Sequence, residues 1–382
     1  MDIVTTNGVA DTPALLLDRQ RMDRNIARMR AKLASLGVQL RPHVKTNKCL
    51  QVARRLFPDG KGPITVSTLR EAQFFFSHGF RDILYGVAIA PNKFAQAAGL
   101  AAQGARLTLV LDCLETARLL AGFAAQGAPR FKVLLEIDCD GHRSGLAPDS
   151  AQIIEIAHVL RGGGIEVEGV MTHAGNSYNS KNTEQIAAHA RQERDAVLQA
   201  VALLRGAGFA APVVSVGSTP TALFADNMDG VTEVRAGVFV FFDLVMAGLG
   251  VCQLSDIALS VLTTVIGHQA DKGWTIVDAG WMAMSRDRGT QAQAVDQGYG
   301  VVCDSDGAPI PGLIMVAANQ EHGIIAAREG ATGAGPCAVA LPVGTQLRIL
   351  PNHACATAAQ HGGYHVVDDD NQAAYWPRFS GW

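Results

Sequence analysis

One feature constrains the fold of this chain more than any other. From Pro13 to about Ala236, short β-branched or leucine-rich runs alternate with amphipathic stretches rich in Ala, Arg and Gln. The runs Pro13–Asp18, Val38–Val44, Ile64–Ser67, Ile83–Val87, Leu107–Asp112, Phe131–Asp138, Glu166–Thr172 and Val213–Gly217 read as strands. Helical patterning fits between them, over Arg19–Leu36, Cys49–Phe57, Leu69–His78, Asn92–Gln103, Leu114–Gln126, Ser150–Arg161 and Thr183–Gly206. Parallel strands need a long crossover, so strands alternating with helices predict βαβ units. Eight strands over roughly 220 residues suit a (β/α)8 TIM-type barrel better than an open sheet.

After about Gly250 helical patterning fades. Ile257–Gly267, Trp274–Ala279, Gly312–Ala317 and Gln346–Leu350 read as strands separated by turns such as Asp271-Lys272-Gly273. The chain is therefore α/β, with a (β/α)8 barrel over residues 11–250 followed by a mainly β domain over 251–382. Residues 1–10 are expected to join that second domain. No internal repeat, low-complexity tract or long linker is visible.

The composition excludes several classes of function. With 382 residues, 48% hydrophobic and 18% charged, the chain suits a well-buried globule and not a disordered one. A net charge of −3 gives no reason to expect a nucleic-acid partner. The longest apolar stretch, Ala236 to Val251, is short and carries Asp243, so no membrane span is expected. The seven cysteines are odd in number, widely spaced and without a CxxC. That argues against a disulfide framework and for a reducing cytoplasm. The opening MDIVTTNGVADTP has neither the basic nor the apolar region of a signal peptide.

In a (β/α)8 barrel the chemistry sits at the C-terminal ends of the strands. The predicted strand ends are followed by Arg41–Lys48, Glu136–Gly145, Thr172–Tyr178 and Gly217–Thr221, with Glu233–Gly237 as one further segment. Polar and titratable groups thus gather at one end. A lysine at Lys45 is placed either to form a Schiff base with a carbonyl group or to lie as a surface residue in a βα loop. Lys48 reads as solvated. The Gly217-Ser218-Thr219 turn, with Gly237-Val238, suits a phosphate cradle of backbone N–H groups and hydroxyls, though such turns are also common punctuation. Arg143 and Arg235 are either inward-facing cations or rim salt bridges. His173 either stacks on a planar ring or caps a strand. His353 and Cys355 project to the same side of an extended chain and make a soft pair for zinc, but two ligands do not close a structural site.

These residues, in this order, carry a resemblance. Thr12–Asp18, Asn25–Met29 and Arg41-Pro42-His43-Val44-Lys45-Thr46 resemble the opening of the D-threonine aldolase and D-serine dehydratase family, pyridoxal phosphate enzymes related to alanine racemase. The resemblance runs nearly end to end. It implies that Lys45 is the Schiff-base lysine and that Arg143 faces the pyridine nitrogen. It places Ser218, Thr219, Gly237 and Val238 at the cofactor phosphate, Tyr178 nearby and His173 against the ring. It makes His353 and Cys355 ligands of Zn2+, replaceable by Mn2+ or another divalent ion. The aldolase branch typically carries His-x-Asp there and prefers harder metals, in line with ligand softness. One departure stands out: relatives often have Tyr where this chain has Phe239, so no contact through that hydroxyl carries over. Arg286, Arg288, Gln320 and His322 lie in motif-like segments of the second domain, where either the site or loop packing accounts for them.

The function implied is elimination of water from a D-3-hydroxy amino acid, with release of ammonia and a 2-keto acid. 3-Hydroxyaspartate would give oxaloacetate, and D-serine pyruvate. The alternative is retro-aldol cleavage to glycine and an aldehyde, which needs nearly the same residues. A racemase would need a second base, and no tyrosine among the five fits that role. A non-catalytic pyridoxal phosphate-binding barrel would lack the second domain. The resemblance also implies a homodimer acting on a small D-amino acid.

Overall fold

The structure is a computed structural model, and it describes residues 11–328, 341–367 and 374–382. The described chain forms two compact units. One comprises residues 28–237 with Gly381–Trp382, and the other the residues up to Ala27 together with Val238–Ser380.

The first unit is built on eight parallel strands: β2 (Gln39–Leu40), β3 (Ile64–Val66), β4 (Asp82–Ala88), β5 (Arg106–Leu111), β6 (Lys132–Ile137), β7 (Glu166–Thr172), β8 (Val213–Val216) and β9 (Glu233–Val234). Their order is β2-β9-β8-β7-β6-β5-β4-β3. A parallel bridge between His43 and Thr65 joins the two ends and closes the barrel. Apart from β2, the strands are largely buried on both faces, as helices on the outside require. Leu84, Val110, Leu134 and Met171, from four successive strands, form one buried cluster. Burying one such side chain stabilises the fold by about 1.5–3 kcal/mol.

Among the helices, α7 (Thr183–Gly206) and α8 (Thr219–Phe224) bear on the site. Asn182 caps α7 by accepting a bond from the Gln185 N–H. The buried stripe of α7 runs Ile186, Ala190, Glu193, Val197, Ala200 and Leu204, the spacing of one helix face. A carboxylate therefore occupies a core position. The order of helices, strands and turns in this unit is that expected of a (β/α)8 barrel.

Two expectations need correcting. The run Pro13–Asp18 was expected to be the first barrel strand. Its ordered part, β1 (Ala14–Asp18), instead pairs antiparallel with β10 (Leu259–Gln269) and parallel with β16 (Gly363–Val367) in the other unit. The eighth barrel strand is β9, which sequence reading treated as an extra segment. The compact barrel accordingly spans 28–237, where 11–250 was expected. The expected place of residues 1–10 lies outside the described residues.

The second unit carries a nine-stranded sheet, including β11 (Trp274–Val277), β12 (Gly300–Cys303), β13 (Pro309–Ala318), β14 (Gly323–Ala327), β15 (Gln346–Pro351) and β17 (Ala374–Pro377). The order is β11-β14-β13-β12-β15-β10-β1-β16-β17, and β11 also pairs with β10. Six of these strands therefore close on themselves as an antiparallel barrel. Closure leaves those strands no open edge. The thiols of Cys113, Cys139 and Cys303 are free. Among the described residues no helix is long and apolar enough to cross a membrane.

Candidate active site

The first group of residues lies where the barrel strands end. Lys45 sits in the turn after β2 and is exposed, while its neighbours Thr46 and Asn47 are buried. His173 follows β7. Its Nδ1 lies 2.8 Å from the Gly217 carbonyl oxygen, so Nδ1 carries the proton and donates it. Burial, with Arg143, Lys45 and Arg235 nearby, pushes His173 down to about 3 despite that bond. The ring is neutral at working pH. Tyr178 lies in the turn Gly175–Asn179, its ring 6.1 Å from that of His173. Arg143 is exposed on the loop after β6.

Gly217 has φ +144, and a Cβ there would come within 2.6 Å of the Arg235 nitrogen. Only glycine suits this turn from β8 into α8. Ser218 caps α8: its Oγ accepts from the Thr221 N–H at 3.2 Å and lies 3.0 Å from Ser177 Oγ. Thr219 opens the helix and is buried. Gly237 is also held close, since a Cβ would meet Thr46 Oγ1 at 2.8 Å and the His43 oxygen at 2.9 Å. Val238 begins the 3-10 turn Val238–Val240 in the other unit.

Arg235 is buried. It donates to Ser215 Oγ at 2.6 Å and to the Thr172 carbonyl oxygen. Its neighbour Glu233 does not take it directly: Glu233 accepts from Arg41 Nε and from Ser215 Oγ, at 2.6 and 2.7 Å. Arg41 also reaches Asp82 at 2.6 Å. Arg235 is thus fixed by an interior network and not by a rim ion pair. Lys48 corrects another expectation. It is partly buried, with its Nζ 3.3 Å from Oε1 of the buried Glu71.

His43 reports on the electrostatics of this region. Burial, then Lys45, Arg235, His173 and Arg143, hold its pKa well below the ordinary value. Lys45, Arg235 and Arg143 thus all act on this one ring. A field of this sign suits a phosphate or a carboxylate.

The second group lies in the other unit. His353 precedes the short helix α11 (Ala354–Ala358, numbered after α9 at Leu244–Gly248 and α10 at Trp281–Met284), and Cys355 lies on its first turn. Their side chains hydrogen-bond each other. His353 Nδ1 lies 2.6 Å from Asp287 Oδ2. Burial opposes charge on His353, but Asp287, Cys355 and the buried Asp243 outweigh it and push the imidazole up to about 11. Asp243 in turn accepts from the Ala354 N–H at 2.9 Å and so fixes the start of α11. A carboxylate on Nδ1 leaves Nε2 to point at an ion, an arrangement common around metal-bound histidines. The acidic and thiol groups here favour positive charge. Among the described residues no set of three or more His, Cys, Asp or Glu side chains forms a closed metal site. The pair is open.

The alanine racemase N-terminal domain matches residues 17–245, and a putative serine dehydratase domain matches residues 258–367. The chain belongs to the D-threonine aldolase and D-serine dehydratase family, on an alanine racemase-like fold. A D-threo-3-hydroxyaspartate dehydratase of Delftia sp. (strain HT23) is 54% identical, over 97% of this chain and 98% of its own. A solved alanine variant of a D-threo-3-hydroxyaspartate dehydratase, in its metal-free form, matches with a TM-score of 0.95 at 52% identity, over 99% of this chain and 100% of that one. The D-threonine aldolase of Filomicrobium marinum matches with a TM-score of 0.81 at 26% identity, over 96% and 95%.

Several residues in contact with these two groups escaped sequence reading. Glu193 lies mid-helix, where a charge reads as a solvated face. Its signal was its phase, since it falls on the apolar stripe of α7. Asp287 carried no local signal, because its partner His353 is distant in sequence, and the signal of Asp243 was its place inside an apolar stretch. Of the second-domain residues, Arg286 lies over the Trp281 ring at 5.0 Å, and Arg288 pairs with Asp296 at 2.7 Å. Gln320 and His322 are exposed and lie in the turn that hydrogen-bonds the start of α10 through backbone groups. Phe239 is fully buried.

Proposed function

We propose that the protein is a pyridoxal phosphate- and divalent metal-dependent dehydratase of D-3-hydroxy amino acids, with D-threo-3-hydroxyaspartate as its first candidate substrate and oxaloacetate and ammonia as products. D-serine, giving pyruvate, is a second candidate. The observation that carries this reading is the pair of groups at His353 and Cys355, buttressed by Asp287, in a chain that also holds Lys45 at a barrel strand end. Near-full-length similarity to a D-threo-3-hydroxyaspartate dehydratase supports the substrate class.

The residues fit both groups chemically. The positive field sensed by His43 suits a phosphorylated aldehyde, and Lys45 offers the amine that would bind it covalently. Pyridoxal phosphate supplies an electron sink for charge that develops at Cα. Ser218, Thr219, Gly237 and Val238 are the residues assigned to its phosphate. The Ser218 hydroxyl is already engaged in the cap of α8, so its contribution there is to hold the turn as much as to donate. Arg143 is assigned to the ring nitrogen. A guanidinium gives up no proton near neutral pH, so Arg143 would donate a hydrogen bond there without transferring its proton. His173 is assigned to the ring face, where its bond to Gly217 fixes the neutral imidazole. The amine of Lys45 would be the natural base for the Cα proton.

His353 and Cys355 would hold a divalent ion, which would supply Lewis-acid chemistry for loss of the β-hydroxyl. The imidazole and thiolate favour zinc over harder ions. His353 Nε2 and the Cys355 thiolate would hold the ion, while Asp287 orients the imidazole and Asp243 holds the backbone of α11. We also propose a homodimer, to be checked by light scattering.

The test is product analysis on D-threo-3-hydroxyaspartate with and without a zinc chelator. Ammonia and oxaloacetate, lost on chelation and restored by zinc, are expected. Glycine and glyoxylate would identify an aldolase and overturn the assignment. In parallel, Lys45→Ala is expected to abolish both the cofactor's visible absorption and turnover. Full activity in that variant would sink the scheme.

A further inference from the structure

Glu193 has no part in the chemistry above, yet it is fully buried. One of its oxygens, Oε1, accepts two backbone hydrogen bonds at 3.0 Å each, from Ala174 N–H and from Gly217 N–H. These donors lie in different turns. Ala174 follows His173 after β7, and Gly217 precedes Ser218 after β8. The carboxylate comes from α7, a third element. The same two turns are joined by the His173–Gly217 bond and by the Ser177–Ser218 hydroxyl pair. Two of these three ties are direct. Glu193 reaches both turns from outside, anchored on a 24-residue helix.

We propose that Glu193 is a positioning residue that sets the turn bearing His173 and Tyr178 against the turn bearing Ser218 and Thr219, and so fixes the spacing between the ring and phosphate ends of the cofactor cradle. The roles of those turns rest on the proposed function, whereas the two hydrogen bonds do not. A buried N–H left without an acceptor is costly, so loss of Oε1 lets both turns relax. A carboxylate one methylene shorter cannot reach two donors at the length found here. A carboxamide keeps the reach and one accepting oxygen.

The experiment titrates pyridoxal 5'-phosphate into wild type, Glu193→Gln, Glu193→Asp and Glu193→Ala, following the cofactor's absorption. Amide hydrogen exchange is measured across the same proteins. Glu193→Asp and Glu193→Ala are expected to bind the cofactor at least about ten-fold more weakly. Exchange should accelerate in residues 173–178 and 216–221 and stay at wild-type rates in the rest of the barrel. Glu193→Gln is expected to remain within roughly three-fold of wild type in binding, with both turns protected. If Glu193→Ala fails to fold, Glu193→Asp decides the matter alone. Wild-type binding and exchange in Glu193→Asp would overturn the proposal, as would a Glu193→Gln protein as impaired as Glu193→Ala. A wild type that does not bind pyridoxal phosphate would refute the cofactor reading instead, and exchange at the two turns would then judge Glu193 alone.

Discussion

Asp287 and His353 show how much a single contact decides. A carboxylate on Nδ1 fixes the imidazole's tautomer and makes Nε2 a better donor to a cation. Asp287→Asn keeps a hydrogen-bond acceptor but loses the charge. It is expected to weaken zinc binding by about 10- to 100-fold, read by competition with a chromogenic chelator. Unchanged zinc affinity would leave Asp287 without that role. His173 and His43 make the opposite case. Burial favours the neutral ring in both, which moves their proton uptake to lower pH. Imidazole NMR of the folded protein should show neither residue protonating as the pH falls from 8 to 5, whereas the unfolded chain takes up these protons near pH 6.5. Their neutral burial therefore contributes stability that is complete above about 6.5 and declines as the solution is acidified. A folded-state midpoint near 6.5 for His173 would contradict the burial described. At this scale the sequence was informative wherever a residue followed a strand. Lys45, His173 and Ser218 were singled out in that way. Lys48 was misread because its partner Glu71 lies on another element, and nothing local announces a buried ion pair.

The turn from β8 into α8 concentrates what the elements contribute. Gly217 needs its positive φ and its missing Cβ together, since the backbone of Arg235 occupies the space a side chain would take. Gly217→Ala is expected to cost about 2 kcal/mol or more and to lower the thermal midpoint. A midpoint equal to wild type would mean the turn yields more easily than its geometry implies. The helices and most strands were legible because period and length agree. Two elements were not. Ala-Leu-Leu-Leu-Asp ahead of an amphipathic helix reads as a βα unit wherever its partner lies, so β1 was assigned to the barrel although it pairs with β10. The strand β9 has only two residues, too few to show alternation, and so passed as a loop although it completes the eight. Strand pairing is a long-range property, and a local pattern does not encode it.

At the scale of the whole molecule, the family models cover the barrel and most of the second unit as separate stretches, 17–245 and 258–367. The residues assigned to cofactor and metal divide in nearly the same way, with Lys45 in one unit and His353 and Cys355 in the other. Chelation of the metal is therefore expected to stop turnover while the visible absorption of the bound cofactor persists. Loss of that absorption on chelation would contradict separate binding. The second unit is also split along the chain, and this bears on synthesis. Leu15, Leu16 and Leu17 of β1 are almost wholly buried, and their partner β10 begins at Leu259. On a ribosome adding about 5–20 residues per second, the roughly 240 intervening residues take some tens of seconds to emerge. Through that interval an apolar strand waits for its neighbour, while the barrel can already form. The nascent protein therefore exposes a sticky strand for that time, and its yield should respond to chaperone supply more than the stability of the finished fold would suggest.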